Sequence, residues 1–447
     1  LLAQQRALAA GRQDVREAQA GVRPQIDLRA TGVLIDEDRA ASSFGQQPQR
    51  TLSAGVRLNQ LLWSNRAFGN VGVQADIQRS RESGYEASRM DVVLEATQAF
   101  LDVLRAQTLE RIRRQNARLT EDNLRLAERR RDLGAGGPAD VYRWRSQLAT
   151  DRQDAIAARQ RVEIARALLN RILHRPIEEP FAAETPDLLD PSLVTGQGRL
   201  RPYIDDPWSF EVFRDFMVAD GLVRAPELEA LDASIEAAQA SRRIAVRSLW
   251  APDIALFGDL SERLATGGAG SDPALPLPGL RRADDRDWSL GLQASFPLFS
   301  GGAKWAHLRR SSETLQELRL QRKAAEERIE LRIRTSLFRI ASSSPAIGLS
   351  REAAGAARQN LDLVRDAYSR GSVPILDLLD AQNAALVADQ VASNAVFDFL
   401  IDLMEVQRAT VNYDFFRSSE EREAWFRKVD DYFESAGPPR PSEGGER

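Results

Sequence analysis

The order of apolar and polar residues divides the chain into segments of two periods. Over residues 24–35, Ile26, Leu28, Ala30, Gly32 and Leu34 share one face, while Gln25, Asp27, Arg29 and Thr31 share the other. That alternation is the period of a half-buried strand. A polar loop over residues 36–50, with Gly45 and Pro48, leads to a second alternation in which Leu52, Ala54, Val56 and Leu58 interleave with Ser53, Gly55, Arg57 and Asn59. The pair predicts strands over about 24–35 and 51–63, each close to the roughly ten residues that cross a bilayer when tilted. The period then lengthens. Residues of about 64–133 contain no proline and read as one helix of about 100 Å at ~1.5 Å per residue. Within it Ile112, Leu119, Leu126 and Leu133 recur at heptad spacing. Past a turn at Gly134 and Pro138, a returning helix over about 139–173 keeps that spacing with Val141, Leu148, Ala155, Val162 and Leu169. Two antiparallel helices are expected to meet along one seam. Residues up to about 22 also read as helix.

The same order of elements then recurs. Pro176, Pro180, Pro186, Pro191, Pro202 and Pro207 break residues 174–226 into short pieces, expected to pack around the long helices through Trp208, Phe210 and Phe213. Beyond them Pro252-Asp-Ile-Ala-Leu256 answers Pro24-Gln-Ile-Asp-Leu28, and Ser289-Leu-Gly-Leu292 answers Ser53-Ala-Gly-Val56. Leu298-Phe-Ser300 likewise answers Leu62-Trp-Ser64. Adding 237 to each seam position of the returning helix gives Leu378, Ala385, Ala392, Phe399 and Val406, all apolar. The turn Leu133-Gly-Ala-Gly-Gly-Pro-Ala-Asp-Val141 has its counterpart in Gly371-Ser-Val-Pro-Ile-Leu-Asp-Leu378, so that Gly134 matches Gly371 and Asp140 matches Asp377. The reading is a tandem duplication. Residues 1–173 are the first unit, 174–226 an equatorial linker, and 227–410 the second unit, with strands over about 252–260 and 288–299 and helices over about 303–370 and 375–410. Residues 411–447 form a C-terminal equatorial segment with a disordered tail from Gly437. Ser342-Ser-Ser-Pro345 predicts a kink or break in the long helix of the second unit.

Composition changes this picture little. A chain of 447 residues with 28% charged and 7% aromatic residues has the usage of long helices. It contains no cysteine, which excludes disulfides and thiolate metal sites. A net charge of -4 argues against nucleic acid as a partner, and Arg129-Arg130-Arg131 is assigned to a solvated helix face. No enzyme chemistry is visible. His174 and His307 are the only histidines and stand in no metal-ligand spacing, and no phosphate-cradling glycine loop occurs, so neither cofactor nor metal is expected. No apolar run of roughly 18 residues is found, so no transmembrane helix is predicted. Leu1-Leu2-Ala-Gln-Gln reads as the inside of a helix, and a leader is expected to have preceded it.

Four strands per chain are too few to close a barrel, and open edges are untenable in hydrocarbon. Two chains would give eight strands and a filled interior; three would give twelve and room for water. The expectation is therefore a homotrimer with a mixed fold, a transmembrane β-barrel continued by α-helices. Gln25, Asp27, Arg29, Ser289, Gln293 and Ser295 would line the lumen. Ile254, Leu256, Leu290, Leu292 and Phe296 would meet outer-membrane lipid, Trp63 and Phe299 would form an interfacial girdle, and residues 36–50 and 261–287 would be external loops. A soluble coiled-coil scaffold is the alternative.

The two Gly-x5-Asp-[Val/Leu] tips, the two Pro-x-Ile-x-Leu strands, the Trp/Phe-Ser junctions and Arg224-Ala-Pro-Glu-Leu-Glu-Ala230 together resemble the TolC family of outer-membrane efflux and export channels. The resemblance extends to about residue 416. It implies a homotrimer with a single twelve-stranded barrel in the outer membrane of a Gram-negative bacterium and a helical duct in the periplasm. It further implies a periplasmic adaptor protein and an inner-membrane transporter as partners, in efflux or type I secretion. Asp377 and Asp380 match the family's pair of lumen-ringing aspartates, and residues three apart share a helix face. Capping of the helix start is the competing role for these acids and for Asp140. Asp140 and Tyr368 match gate contacts. The arginine the family places two residues after the second tip's glycine is Val373 here, which leaves packing of Val373 or a leakier mouth as the alternatives. Adaptor docking is expected at the tip turns, Gly134, Pro138, Gly371 and Pro374.

Overall fold

The computed structural model describes residues 1–43, 46–181, 203, 207–271, 284–413 and 418–436. Gly45 of the expected loop and the tail expected to be disordered from Gly437 lie outside them, as do the linker prolines Pro186, Pro191 and Pro202. In chain order the elements are α1 (Leu2–Ala20), β1 (Gln25–Leu34), α2 (Glu37–Ala41), β2 (Arg50–Trp63), α3 (Asn65–Asp132), α4 (Pro138–Ile172), α5 (Pro207–Arg224) and α6 (Pro226–Arg247). They continue with β3 (Asp253–Gly267), β4 (Arg286–Ser295), α7 (Ala303–Arg370), α8 (Ile375–Ala409) and α9 (Ser419–Ala436). The chain forms two compact units, Leu1–Tyr85 with Pro226–Ala324 and Glu86–Ala225 with Ala325–Arg447.

The first unit holds one antiparallel sheet in the order β1-β2-β3-β4. Its register sets Ile26 opposite Leu58, Leu28 opposite Val56, and Leu256 opposite Leu292, so most of the large apolar residues of the four strands fall on one face, with Phe257 and Leu61 on the other. On the other face Asp27 lies opposite Arg57 and Arg57 opposite Asp259. Arg57 Nε donates to Asp259 Oδ2 at 2.8 Å. The apolar face is uncovered within the chain: Leu28 is 81% exposed and Leu292 68%. Burying one such leucine is worth about 2 kcal/mol, so a sheet with this face requires an apolar surrounding. The outer strands β1 and β4 each present a backbone edge with no partner strand among the described residues. β3 runs to Gly267, seven residues beyond the expected end, and α2 occupies part of the loop expected over 36–50, with Asp36 Oδ1 accepting from the amides of Asp38 and Arg39. Below the sheet α3 begins at a Ser64 hydroxyl that accepts from the Ala67 amide, and α6 packs on it through Val73, Ala237 and Ala240.

In the second unit α3 and α4 pair, as do α7 and α8. The lengths repeat: α3 and α7 have 68 residues each, α4 and α8 35 each. Burial repeats too. Val141, Leu148, Val162 and Leu169 are buried with Ala155 half-buried, and Leu378, Ala385, Phe399 and Val406 are buried with Ala392 half-buried. Phe210 packs on Phe338, Phe213 on Trp425 and Trp208 on Phe433, so α5 and α9 form an aromatic layer beside the helices.

Four expectations are corrected. Of the kink or break expected at Pro345, the break is absent: α7 runs through it, where one missing N–H removes a single rung from a 68-residue ladder. The buried line of α3 is Asn116, Thr120, Asn123 and Ala127, whereas Ile112, Leu119 and Leu126 are half-buried and Leu133 is exposed. Apolar spacing alone selected the flank of the seam, because the seam itself is polar. Arg130 is half-buried and bonded to both turns rather than standing on a wholly solvated face, as its contacts below show. Finally, α8 is long and apolar enough to cross a membrane by length and composition. It is instead a packing helix, with Phe397, Leu400, Leu403 and Met404 clustered on Leu101 and Leu104 of α3.

Candidate functional site

The tips are built by backbone chemistry. At the end of α3 the amides of Gly134 and Ala135 donate to the carbonyls of Arg131 and Arg130, at 2.9 and 2.8 Å. At the end of α7 those of Gly371 and Ser372 donate to Tyr368 and Ala367, at 3.0 and 2.9 Å. This paired closure satisfies carbonyls that a helix end leaves open and puts the residue after the helix in the left-handed region. Gly134 has φ 72° and Gly371 φ 81°. Pro138 is the first residue of α4, and Pro374 immediately precedes α8. Neither start carries a side-chain cap. Asp140 and Asp377 therefore favour their helix starts through charge alone.

Behind the turns lies a cluster of Ala127, Val141, Trp144, Leu361, Tyr368, Ile375, Leu378, Ala381 and Ala385, to which α3, α4, α7 and α8 all contribute. Trp144 and Tyr368 are its largest fully buried side chains. Val373 packs against this cluster from the turn, half-buried. Burial first, then the nearby Asp140 carboxylate, pushes the Tyr368 hydroxyl above the ordinary tyrosine range. Arg130 ties the two tips together. Its guanidinium lies 4.5 Å over the Tyr368 ring, one nitrogen donates to the Tyr368 carbonyl, and the other donates to the Ala135 carbonyl at 3.1 Å. A half-buried arginine is held here because a helix end and a turn offer it acceptors, and an aromatic face adds about 0.5–2 kcal/mol.

Eleven residues beyond Gly371, Gln382 is 4% exposed and joins α8 to α3. Its Nε2 donates to Asn116 Oδ1 at 3.0 Å and Thr120 Oγ1 at 2.5 Å, and its Oε1 accepts from Asn123 Nδ2 at 2.8 Å. The Thr120 hydroxyl passes the chain of hydrogen bonds to Asp151 Oδ2 at 2.5 Å, and Gln147 donates to the other oxygen at 2.9 Å.

The structure thus brings Asp140, Tyr368 and Val373 to one place and leaves Asp377 and Asp380 outside it. Both aspartates are exposed, and among the described residues neither carboxylate has an ion pair or hydrogen bond. Three residues apart on α8, they share a face turned away from buried Leu378 and Ala381. Arg130, Trp144 and Gln382 were missed. A search for polar residues at seam spacing would have found Asn116, Thr120 and Asn123. No sequence signal separates Arg130 from its neighbours Arg129 and Arg131.

Residues 218–410 match the family described as Outer membrane efflux protein. The chain is 23% identical over 387 residues to the outer membrane efflux protein BepC of Brucella suis biovar 1, covering 85% of this chain and 77% of that protein. To the outer membrane protein TolC of Vibrio cholerae serotype O1 it is 21% identical over 398 residues, covering 88% and 83%. Its fold superposes on the transmembrane channel CusC with a TM-score of 0.74 at 16% identity, covering 92% of this chain and 88% of that one. A sheet that is apolar on one face, long helices that end in paired glycine tips, and these likenesses over most of the length lead to one conclusion: the chain is similar to the outer-membrane efflux channels of the TolC family.

Proposed function

We propose that three copies of this chain close a single twelve-stranded barrel in the outer membrane, and that the helix tips form its periplasmic mouth. The observation that carries the reading is the sheet β1-β2-β3-β4, uncovered on its apolar face and unpaired at both edges. In hydrocarbon each unpaired backbone group costs several kcal/mol, so edges must meet edges. Three sheets give a barrel wide enough for water, whereas two would fill it with side chains. The protein is then a passive exit duct. Direction and energy come from an inner-membrane transporter, joined through a periplasmic adaptor that docks at the turns of Gly134, Pro138, Gly371 and Pro374. Equal helix lengths and matched burial support the tandem duplication of 1–173 in 227–410.

At the mouth, Asp377 and Asp380 of three chains would present six carboxylates to a narrow aqueous constriction, a ring that concentrates cations and binds multivalent ones. Their exposure and lack of partners support this role. Asp140 and Tyr368 contribute to closure, and Val373 contributes packing where a cation would have given an ionic contact.

Planar-bilayer recording of the purified protein tests the reading. Water-filled conductance is expected from a particle of three times the 49.7 kDa chain mass. Block by multivalent cations is expected to weaken by about tenfold or more in Asp377→Asn/Asp380→Asn, since one charge contact is worth ~1 kcal/mol even in water. A correctly assembled trimer without conductance would refute the duct. Unchanged block in the double variant would refute the ring alone.

A further inference from the structure

We propose that the strand-to-helix junctions form a headgroup site for anionic phospholipids of the periplasmic leaflet, an inference that rests on the membrane reading above. Residues 60–75, 237–252 and 296–312 carry Arg66, Arg242, Arg243, Arg247, Lys304, Arg309 and Arg310 and not one carboxylate, in a chain whose net charge is -4. Tertiary structure gathers these stretches at one end of the sheet. Asn65 Nδ2 donates to the Ile244 carbonyl at 2.9 Å, joining the start of α3 to the last turns of α6. Arg242 Nε donates to Ser312 Oγ at 3.2 Å, joining α6 to the first turns of α7.

The cations adjoin the apolar face. Trp63 falls in register with Ile254 on that face. The Lys304 ammonium lies 4.1 Å over the Phe296 ring, with Nζ donating to the Pro297 carbonyl at 2.8 Å. Trp63, Trp250, Phe299 and Trp305 are exposed beside them. Arg66 and Arg247 are exposed as well, and have no carboxylate partner among the described residues. Aromatic rings at the depth of the headgroups, with cations immediately outside the hydrocarbon, meet a phosphodiester at the right height. An anionic headgroup is favoured over a zwitterionic one because these stretches supply seven cations, while the α1 acids that share a cleft with Ala67, Asn70 and Gln74 are only Asp14, itself paired with Arg81, and Glu17. An acidic segment of another protein would satisfy the charges but not the continuity with the uncovered apolar face.

The test uses the detergent-purified full-length trimer, titrated with dioleoyl phosphatidylglycerol or dioleoyl phosphatidylcholine and read by native mass spectrometry. Phosphatidylglycerol is expected to bind at least about fivefold more tightly, the effect of one cation near a membrane surface. That preference should fall severalfold in Arg66→Gln/Arg247→Gln/Lys304→Gln, and persist in the control Arg159→Gln/Arg161→Gln on α4. Should the triple variant fail to assemble, Lys304→Gln alone is expected to lower the preference. Equal binding of the two lipids, an unchanged preference in the junction variants, or full competition by a soluble polyglutamate peptide would overturn the site. A trimer that conducts yet shows no preference would refute this site and leave the duct intact; failure to conduct at all would refute the duct.

Discussion

Gln382 shows how much one residue can decide. Its amide exhausts both hydrogens and its oxygen on Asn116, Thr120 and Asn123, in a place from which water is excluded. A buried polar group left without its partner costs about 1–3 kcal/mol, so Gln382→Leu is expected to destabilise the second unit by roughly 2–5 kcal/mol. Denaturant unfolding, with hydrogen exchange over residues 110–130 as the local readout, would check it; a change below about 0.5 kcal/mol would mean the network is dispensable. The buried tyrosines set a pH limit. Burial raises the hydroxyl of Tyr368, and that of Tyr413, which donates to the Met90 carbonyl at 3.0 Å. A group whose folded pKa lies above its unfolded value of about 10 stabilises the fold below that pH, and the contribution disappears as pH rises through the folded pKa. Unfolding measured from pH 8 to 11 is therefore expected to show stability falling above about pH 10, and Tyr368→Phe/Tyr413→Phe should flatten that fall.

At the scale of elements, the long helices tolerate what a short one would not. Pro345 lacks an amide hydrogen and crowds the preceding turn, at about 3 kcal/mol in an exposed helix interior. α7 continues through it because more than twenty residues on either side hold the helix in place. Pro345→Ala is expected to stabilise the protein by up to about 3 kcal/mol, as a higher thermal midpoint. A lower midpoint would show that the fold uses a bend there. The tips behave differently. Gly134 and Gly371 occupy left-handed backbone, and a β-carbon on Gly371 would stand 3.3 Å from Arg130 Nη2. Gly371→Ala is expected to cost roughly 1–2 kcal/mol and to loosen the Arg130 tie, seen as faster exchange of the Ser372 amide.

At the scale of the whole molecule, the chain is unfinished by its own chemistry. A sheet with two open edges and exposed leucines on one face is stable neither in water nor alone in lipid. Assembly and membrane insertion are coupled requirements in this reading. Dilution in detergent is expected to dissociate the trimer only together with loss of β signal by circular dichroism, whereas a scaffold with local hairpins would keep its strands as a monomer.

Local periodicity was enough to read the strands, the long helices and their turns from sequence. Side chains two apart share a strand face, those seven apart share a helix face, and glycine and proline end helices wherever they fall. Those rules placed the apolar face of Ile26, Leu28, Leu290 and Leu292 and the seam of α4 and α8. They failed where partners came from distant parts of the chain. The seam of α3 was misplaced because Asn116, Thr120 and Asn123 find their hydrogen-bond partners on Gln382 and Asp151, and Arg130 was assigned to solvent because its acceptors belong to two different turns. The seven cations of the junction were equally scattered until α3, α6 and α7 met at one end of the sheet. Sequence determines what each residue prefers nearby; tertiary structure decides which polar and charged groups meet, since that depends on contacts between residues hundreds of positions apart.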